Sequence, residues 1–66
     1  MPSSVIRDFA YDPAAQRLTV TFVTGRRYVY RDVPGDVAAA LARAASKGAF
    51  FNAAIRDIYP YDRLRG

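Results

Sequence analysis

The sequence predicts an α+β fold, in which a three-stranded antiparallel meander is followed by two helices packed on one face of the sheet. Two observations lead to this prediction. In the first half of the chain, apolar residues alternate with polar ones between turn sequences, as in strands joined by hairpins. From Pro34 onward, apolar residues recur every three or four positions, which is the spacing of helices. We therefore expect the element order βββαα in a single domain over residues 1–66.

The first predicted strand covers residues 5–11. Phe9 and Tyr11 are two positions apart and share a face, but Ile6 is out of phase with them. This break in the alternation predicts a bulge or a late start of the strand. Asp12-Pro13 then begins a turn, because proline fixes φ and aspartate bonds the backbone two residues on.

The second and third strands are predicted over residues 17–23 and 27–31. In the second strand the apolar side chains alternate regularly, so that one face carries Leu18, Val20 and Phe22. The third strand contains Tyr28 and Tyr30, and the turn between the two strands includes Gly25.

The length of that turn decides where the two tyrosines point. A two-residue turn, Thr24-Gly25, pairs Val20 with Val29 and places Tyr28 and Tyr30 on the outer face, as a platform on which bases stack. A three-residue loop, Thr24-Gly25-Arg26, pairs Val20 with Tyr30 and places both rings in the core. We favour the second register, because a lone Val29 makes a poor core face.

Two helices follow the strands. Val33-Pro34-Gly35-Asp36 predicts a helix start, with proline in the first helical position and an acid in the first turn. The inner face of this helix contains Val37, Leu41 and Ala44 or Ala45. Ser46-Lys47-Gly48 separates it from a second helix, and Tyr59-Pro60-Tyr61 ends that helix. The inner face of the second helix contains Phe51, Ala54, Ile55 and Ile58.

These elements carry a set of motifs that resembles the KTSC family, which is named after a C-terminal appendage of some lysyl-tRNA synthetases. The motifs are Ser3-Ser4, Tyr11-Asp12, Leu18-x-Val20-x-Phe22-x-x-Gly25, Tyr28-x-Tyr30, Val33-Pro34 and Ser46-x-Gly48-x-Phe50-Phe51-Asn52-x-x-Ile55-Arg56. The central Tyr-x-Tyr is the recognised feature of that family. The resemblance implies a small KTSC-like domain without an assigned enzymatic activity, and the synthetase context suggests RNA binding.

The amino-acid composition limits the classes of function that we expect for this chain. The chain has no cysteine, which gives no sign of an oxidising compartment, and no apolar run approaches the ~20 residues that span a bilayer. Met1-Pro2-Ser3-Ser4 lacks the charged and apolar regions of a signal peptide. We expect a cytoplasmic protein that has no membrane partner, no cofactor and no metal.

Catalysis is not expected, since histidine and glutamate, the usual acid–base residues, are both absent. Ser46 and Lys47 are adjacent, and neighbours on a helix do not face each other as a nucleophile and its base must. Asp32 and Asp36 are two carboxylates without further ligands, which makes a poor metal site. We predict that the protein is not an enzyme.

Positive charge is concentrated in two stretches that contain no acid, residues 13–31 and 37–56. Nine of the ten basic residues are arginines, whose forked donors suit phosphates and whose planes stack on flat rings. The candidate contacts with RNA or another polyanion are Arg26, Arg27, Arg31, Lys47 and Arg56. A second interpretation stays open, in which the charge only keeps the protein soluble.

A polar stripe on the second helix gives a candidate anion site. Gly48, Asn52 and Arg56 follow at intervals of four, and Ser46 precedes them at the helix start, where free backbone N–H groups point outward. The structural alternative is that Ser46 caps the helix, Gly48 permits close packing and Asn52 ties the helix to the hairpin. Both interpretations predict the same helix.

The sequence thus favours a non-catalytic basic module that binds RNA or another phosphate backbone weakly and without sequence preference. The rival hypothesis is a protein-interaction module, which associates with itself or with a larger protein through an apolar patch. That patch consists of Phe50, Tyr59 and Tyr61.

Overall fold

A computed structural model describes residues 6–64. The elements along the chain are β1 (Ile6–Asp12), β2 (Arg17–Phe22), β3 (Arg27–Tyr30), α1 (Gly35–Arg43), α2 (Lys47–Ala54) and β4 (Tyr61–Leu64). The strands form one antiparallel sheet in the order β1-β2-β3-β4. This confirms the α+β class. The predicted start of the first strand at residue 5 lies outside the described residues.

The sheet has four strands, whereas the sequence predicted three. Tyr59-Pro60-Tyr61 does end the helical part, but Tyr61 also begins β4, which pairs with β3. All four residues of β4 are exposed, so no buried apolar position marks this strand in the sequence. Backbone pairing holds it beside β3, and the bond from the Arg31 N–H to the Pro60 carbonyl (2.8 Å) begins that alignment.

Strand β1 contains a bulge, which is one of the two explanations that the break in the alternation allowed. The register shifts between Ile6 and Asp8, so that one extra residue separates Ile6 from the rest of the strand. The shift turns Ile6 toward the same face as Phe9, and both side chains pack against the core.

The β2–β3 loop has three residues, as expected, but it lies one position earlier than predicted. The Gly25 N–H donates to the Phe22 carbonyl, the Phe22 N–H donates to the Arg26 carbonyl, and both bonds are 2.9 Å long. The loop is therefore Val23-Thr24-Gly25. Gly25 has φ +89°, and a three-residue hairpin needs such a left-handed residue in its last position.

The observed register pairs Val20 with Tyr28 and Leu18 with Tyr30, and neither predicted register has these pairs. The favoured one is wrong by two residues. A slip of two positions keeps every side chain on its face, so both tyrosines point toward the helices, as the favoured register predicted. Tyr30 is fully packed, with 3% of its surface exposed.

The first helix begins one residue later than predicted. Pro34 has extended backbone angles and is the N-cap, so Gly35 is the first helical residue. Ala38 and Leu41 are the buried residues of α1. The extended conformation of Ala44 ends the helix after Arg43.

Ser46 caps α2, because its hydroxyl accepts a hydrogen bond from the Ala49 N–H at 3.4 Å. The helix is shorter than predicted. It ends at Ala54, and the chain then turns through residues 55–58. Ile58 is consequently 64% exposed and not on the inner face, whereas Ile55 remains fully buried.

The core lies between the helices and one face of the sheet, which we call the front face. It consists of Leu18, Val20, Tyr30, Val33, Ala38, Leu41, Phe51 and Ile55. The Tyr11 hydroxyl donates to the Val33 carbonyl at 2.6 Å and so joins β1 to the segment before α1. The alternate side chains of the strands, among them Thr19, Val29 and Asp62, point to the back face.

Candidate functional site

An open groove of about 390 Å³ lies between the front face of the sheet and the end of α2. Strands β2, β3 and β4 form one side, and α2 with the turn after it forms the other. The lining residues are Phe22, Tyr28, Tyr30, Phe51, Asn52, Arg56, Asp57 and Tyr61. We call this feature the aromatic groove.

Five of these residues are aromatic, and their rings form one connected cluster. Phe51 meets Tyr30 and Phe22 edge to face, with ring centroids 5.2 and 5.5 Å apart. Tyr28 meets Phe22 edge to face at 5.5 Å and lies 6.5 Å from Tyr30 in a stacked arrangement. Tyr61 lies 5.5 Å from Tyr28 and 5.3 Å from Tyr30. Mutual packing of this kind holds each ring in a fixed orientation.

The rings differ in how much surface they leave to a ligand. Tyr30 and Phe51 are 3% and 2% exposed and form the floor. Phe22 and Tyr28 are half-buried, and Tyr61 is 52% exposed on the outermost strand. The groove therefore has a rigid floor and an accessible aromatic wall.

Burial also changes the pKa of Tyr30, which forms part of the floor of the groove. The pKa of Tyr30 is raised to about 12, mainly by loss of hydration and in smaller part by the neighbouring phenols of Tyr61 and Tyr28. Arg56 opposes this effect and Asp57 adds to it, so both charged groups act on the Tyr30 hydroxyl. At neutral pH Tyr30 is a protonated hydrogen-bond donor at the bottom of the groove.

The rim of the groove is polar and carries both signs of charge. The Arg56 Nη1 donates to the Asn52 Oδ1 at 3.3 Å, across one turn of chain. Asp57 follows directly and lines the same groove. Within residues 6–64, one ion pair forms. It joins Arg31 to Asp62 at 3.1 Å on the back face of the sheet. Asp57 is exposed at the rim and forms no ion pair with another described residue.

The turn after α2 places these charged residues. The N–H groups of Ile55 and Arg56 both donate to the Phe51 carbonyl, at 3.0 and 2.9 Å, which tightens the chain at the end of the helix. Ile55 is buried and anchors the turn in the core. Because Ile55 points inward, Arg56 and Asp57 are left exposed beside the rings.

The structure brings together four of the residues that sequence analysis selected. Tyr28 and Tyr30 line the groove from β3, and Asn52 and Arg56 line it from the other side. Tyr28 and Tyr30 were expected either in the core or on a platform. Both lie on the front face, as the favoured register predicted and not on the outer face; Tyr30 is buried and Tyr28 is partly accessible.

The other selected cations lie away from the groove. Arg27 and Arg31 extend from the back face, and Arg31 pairs with Asp62. Arg26 is exposed beside the hairpin loop. The Lys47 ammonium donates to the Ala44 carbonyl at 3.2 Å and so caps the end of α1.

The candidate anion site is not assembled as a unit. Ser46 caps α2 with its hydroxyl, and Gly48 is buried at the start of the helix. Asn52 and Arg56 lie at the other end, where they contact each other and the groove. Even on an uninterrupted helix, positions 48 and 56 are about 12 Å apart along the axis, so the two ends of the stripe do not meet.

Sequence analysis missed three residues of this region. Asp57 and Arg63 were not selected, and Tyr61 was assigned to the rival apolar patch. Arg63 lies directly opposite Tyr28 across the β3–β4 pair, which puts it on the front face beside the groove. No apolar alternation in Tyr61–Leu64 marks this strand, so the sequence gives no local signal for these positions.

The members of the rival patch have different surroundings in the structure. Phe50 and Tyr59 are half-buried and pack against the core, while Tyr61 belongs to the aromatic groove. Among the described residues, no three histidine, cysteine or acidic side chains gather as metal ligands do. Over the same part of the chain, no helix has the length and apolar character needed to cross a membrane.

Comparison with known proteins identifies relatives of two kinds. The chain is 39% identical over 61 residues to a lysine–tRNA ligase of Nostoc punctiforme, covering 92% of this chain but 11% of the ligase. It is 41% identical over 65 residues to an uncharacterized protein of Stutzerimonas stutzeri, covering 97% of this chain and 92% of that protein. The chain therefore spans about a tenth of the ligase and nearly all of the small relative.

The fold is also found in a crystal structure. A KTSC domain protein from Yersinia pestis superposes with a TM-score of 0.89 at 30% sequence identity, covering 98% of this chain and 92% of that one. The sequence profile of the KTSC domain matches residues 2–59. This match includes both strands of the Tyr-x-Tyr hairpin and both helices, and the chain belongs to the KTSC domain family.

Proposed function

We propose that this protein is a non-catalytic module that binds single-stranded RNA weakly, with bases stacked in the aromatic groove. One observation carries the proposal: Tyr28, Tyr30 and Tyr61 lie in the same open groove as the guanidinium of Arg56. Flat rings beside a cation are the combination with which proteins hold unpaired bases and the adjoining backbone.

Stacking supplies the sequence-tolerant part of the affinity. Each base stacked on an aromatic side chain contributes about 1–3 kcal/mol, and every base has a face to offer. Tyr61 is the accessible ring, because half of its surface is exposed, and the packed rings below it hold it in position. One or two stacked bases correspond to weak binding.

Electrostatic attraction to phosphates supplies the rest of the affinity. Arg56 lines the groove and Arg63 lies on the same face of the sheet, while the whole chain carries a formal charge of +4. Two local cations neutralise about two phosphates, so the logarithm of the binding constant falls with the logarithm of salt concentration with a slope of about −1.4. Such a shallow slope is typical of a small module and not of an extended phosphate track.

The relatives favour RNA over DNA. A lysine–tRNA ligase is, by its name, an enzyme that acts on an RNA, and about a tenth of that protein resembles this chain. A module that contacts exposed bases is useful in that setting. The same surface in a small separate protein would contact other single-stranded RNA.

The groove offers little for catalysis. The chain contains no histidine, cysteine or glutamate, and the raised pKa of Tyr30 keeps that phenol from acting as a base near neutral pH. The remaining groups are an arginine, an aspartate and an asparagine, which suit hydrogen bonding to a ligand.

Self-association is the competing function, and exposed apolar side chains favour it. Ile58 is 64% exposed and Leu64 is 38% exposed, and Ile58 is not among the residues that line the groove. An interface built on these residues would bury apolar surface and respond little to salt.

Titration of mixed-sequence single-stranded RNA, followed by tyrosine fluorescence, tests the proposal, since the chain has five tyrosines and no tryptophan. We expect Tyr61→Ala to weaken binding at least fivefold, the lower end of one stacked base. Ile58→Ala is the matched control, because it removes exposed apolar surface outside the groove. Light scattering on the same variants measures self-association. A dimer that Ile58→Ala dissociates, without measurable RNA binding by the original chain, would replace the proposal with the competing function.

A further inference from the structure

We infer that the aromatic groove selects guanine, an inference that rests on the proposed function and adds a base preference to it. The observation that carries it is the pair of opposite charges at the rim. Arg56 and Asp57 are consecutive residues, and both line the groove beside the tyrosine rings.

The opposite charges of Arg56 and Asp57 make the groove a poor site for a simple anion or a simple cation. A groove for a phosphate does not need a carboxylate, which repels it, and a groove for an ammonium group does not need an arginine. A flat group that offers donors on one edge and acceptors on another matches both side chains. Nucleobases have this character, and their faces match the rings of Tyr28 and Tyr61.

Guanine matches the two charges best. Its N1–H and exocyclic amino group are neighbouring donors, which a carboxylate such as Asp57 accepts through both oxygens. Its O6 and N7 are neighbouring acceptors, which are the usual partners of an arginine such as Arg56. Adenine, cytosine and uracil each place an acceptor next to the donor that would meet Asp57, and this acceptor repels the second carboxylate oxygen.

Both side chains are available for these contacts. Asp57 is exposed and forms no ion pair within residues 6–64. It lines the same groove as Tyr28, Tyr30 and Tyr61. Arg56 is exposed and held by one long hydrogen bond to Asn52, so its guanidinium can turn to a ligand at little cost.

Five-residue RNAs that differ in one central base test the inference with the full chain. The set consists of UUGUU, UUAUU, UUCUU, UUUUU and UUIUU, where inosine is guanosine without its exocyclic amino group. We expect UUGUU to bind about tenfold more tightly than UUUUU, and UUIUU to lie between them, because inosine keeps one donor for Asp57.

Asp57→Asn is the diagnostic variant. An amide cannot accept both guanine donors, so the preference of UUGUU over UUIUU should disappear, and its preference over UUUUU should shrink to the part that Arg56 supplies. Binding of UUUUU should be unchanged or tighter, because one negative charge is removed. Asp32→Asn is the matched control. Asp32 lies outside the groove, and its left-handed backbone (φ 59°) suits asparagine, so this variant changes the net charge equally.

The outcomes separate this inference from the proposed function. Equal affinity for all five RNAs, with Tyr61→Ala still weakening them, overturns the guanine preference and leaves RNA binding in place. A preference of UUGUU over UUIUU that survives Asp57→Asn assigns recognition of the amino group to other residues and also overturns the inference. Absence of binding by every RNA overturns the proposed function itself.

Discussion

Tyr61 of β4 lies directly opposite Tyr30 of β3, and the centroids of the two rings are 5.3 Å apart. This pair joins the most buried tyrosine of the molecule to the most accessible ring of the aromatic groove. β4 has no buried residue. Its front face contributes to the fold through the contacts of Tyr61 with Tyr30 and Tyr28. The same contacts build the outer wall of the groove.

The two members of this pair should differ sharply in their effect on stability. Tyr30→Ala removes a ring that is 3% exposed and touches Phe51, and we expect it to lower the free energy of unfolding by about 3–5 kcal/mol. A domain of this size has little more stability than that, so the variant should be largely unfolded at room temperature. Tyr61→Ala should cost less than about 1 kcal/mol, because half of the ring is exposed. Urea denaturation followed by circular dichroism measures both changes.

Equal losses for the two variants would contradict this assignment of floor and wall. A large loss for Tyr61→Ala in particular would mean that β4 is an integral part of the core. Binding data on Tyr61→Ala would then need correction for the unfolded fraction.

Tyr30 also predicts a pH dependence. The pKa of its phenol is about 12 in the folded chain and 10.0 in the unfolded chain. Between these values the folded state retains a proton that the unfolded state has lost, so unfolding becomes easier as pH rises. The stabilisation is fully present below pH 10 and is lost progressively from about pH 10 to 12. Its total is on the order of 2 kcal/mol.

Tyr30→Phe provides the comparison, because phenylalanine keeps the ring and removes the titrating group. Thermal melts at pH 9, 10, 11 and 12 should show a smaller fall in melting temperature for this variant than for the original chain. Parallel falls across the whole range would show that Tyr30 titrates alike in both states, contrary to the prediction. The absorbance of tyrosinate near 295 nm gives an independent measure of when the last phenol ionises.

Much of the fold was predictable because its signals are local. The phase break at Ile6 indicates a bulge or a late strand start, and Ser46 is typical of a helix start, whatever the rest of the chain does. The hairpin register was not fixed in the same way. Two three-residue loops around Gly25 put the tyrosines on the same face, and only the left-handed backbone of Gly25 in the third loop position distinguishes them.

The site was predictable in part, for a similar reason. Tyr28, Tyr30, Asn52 and Arg56 follow patterns within single elements. Their neighbours Asp57 and Tyr61 join them only because α2 ends early and β4 returns to β3, and both events depend on tertiary contacts. Arg27 and Arg31 were selected because positive charge is dense in that part of the chain. Charge density takes no account of the alternation of strand residues between the two faces of the sheet.

Arg56 offers the sharpest separation between binding and stability. Its side chain is exposed, and its hydrogen bond to Asn52 is long at 3.3 Å, so Arg56→Gln should change the free energy of unfolding by less than about 0.5 kcal/mol. If Arg56 contacts a phosphate or a base, the same substitution should weaken RNA binding severalfold. A phosphate contact should also reduce the slope of the salt dependence by about 0.7.

Arg27→Gln is the control for this experiment, because it removes the same charge from the back face of the sheet. Both variants lower the net charge equally, so a purely diffuse attraction between RNA and a basic protein predicts equal losses of affinity. A groove-centred site predicts a loss for Arg56→Gln that clearly exceeds the loss for Arg27→Gln. A melting temperature several degrees lower for Arg56→Gln, with unchanged affinity, would instead assign Arg56 to the fold, where it would hold the turn after α2 against Asn52.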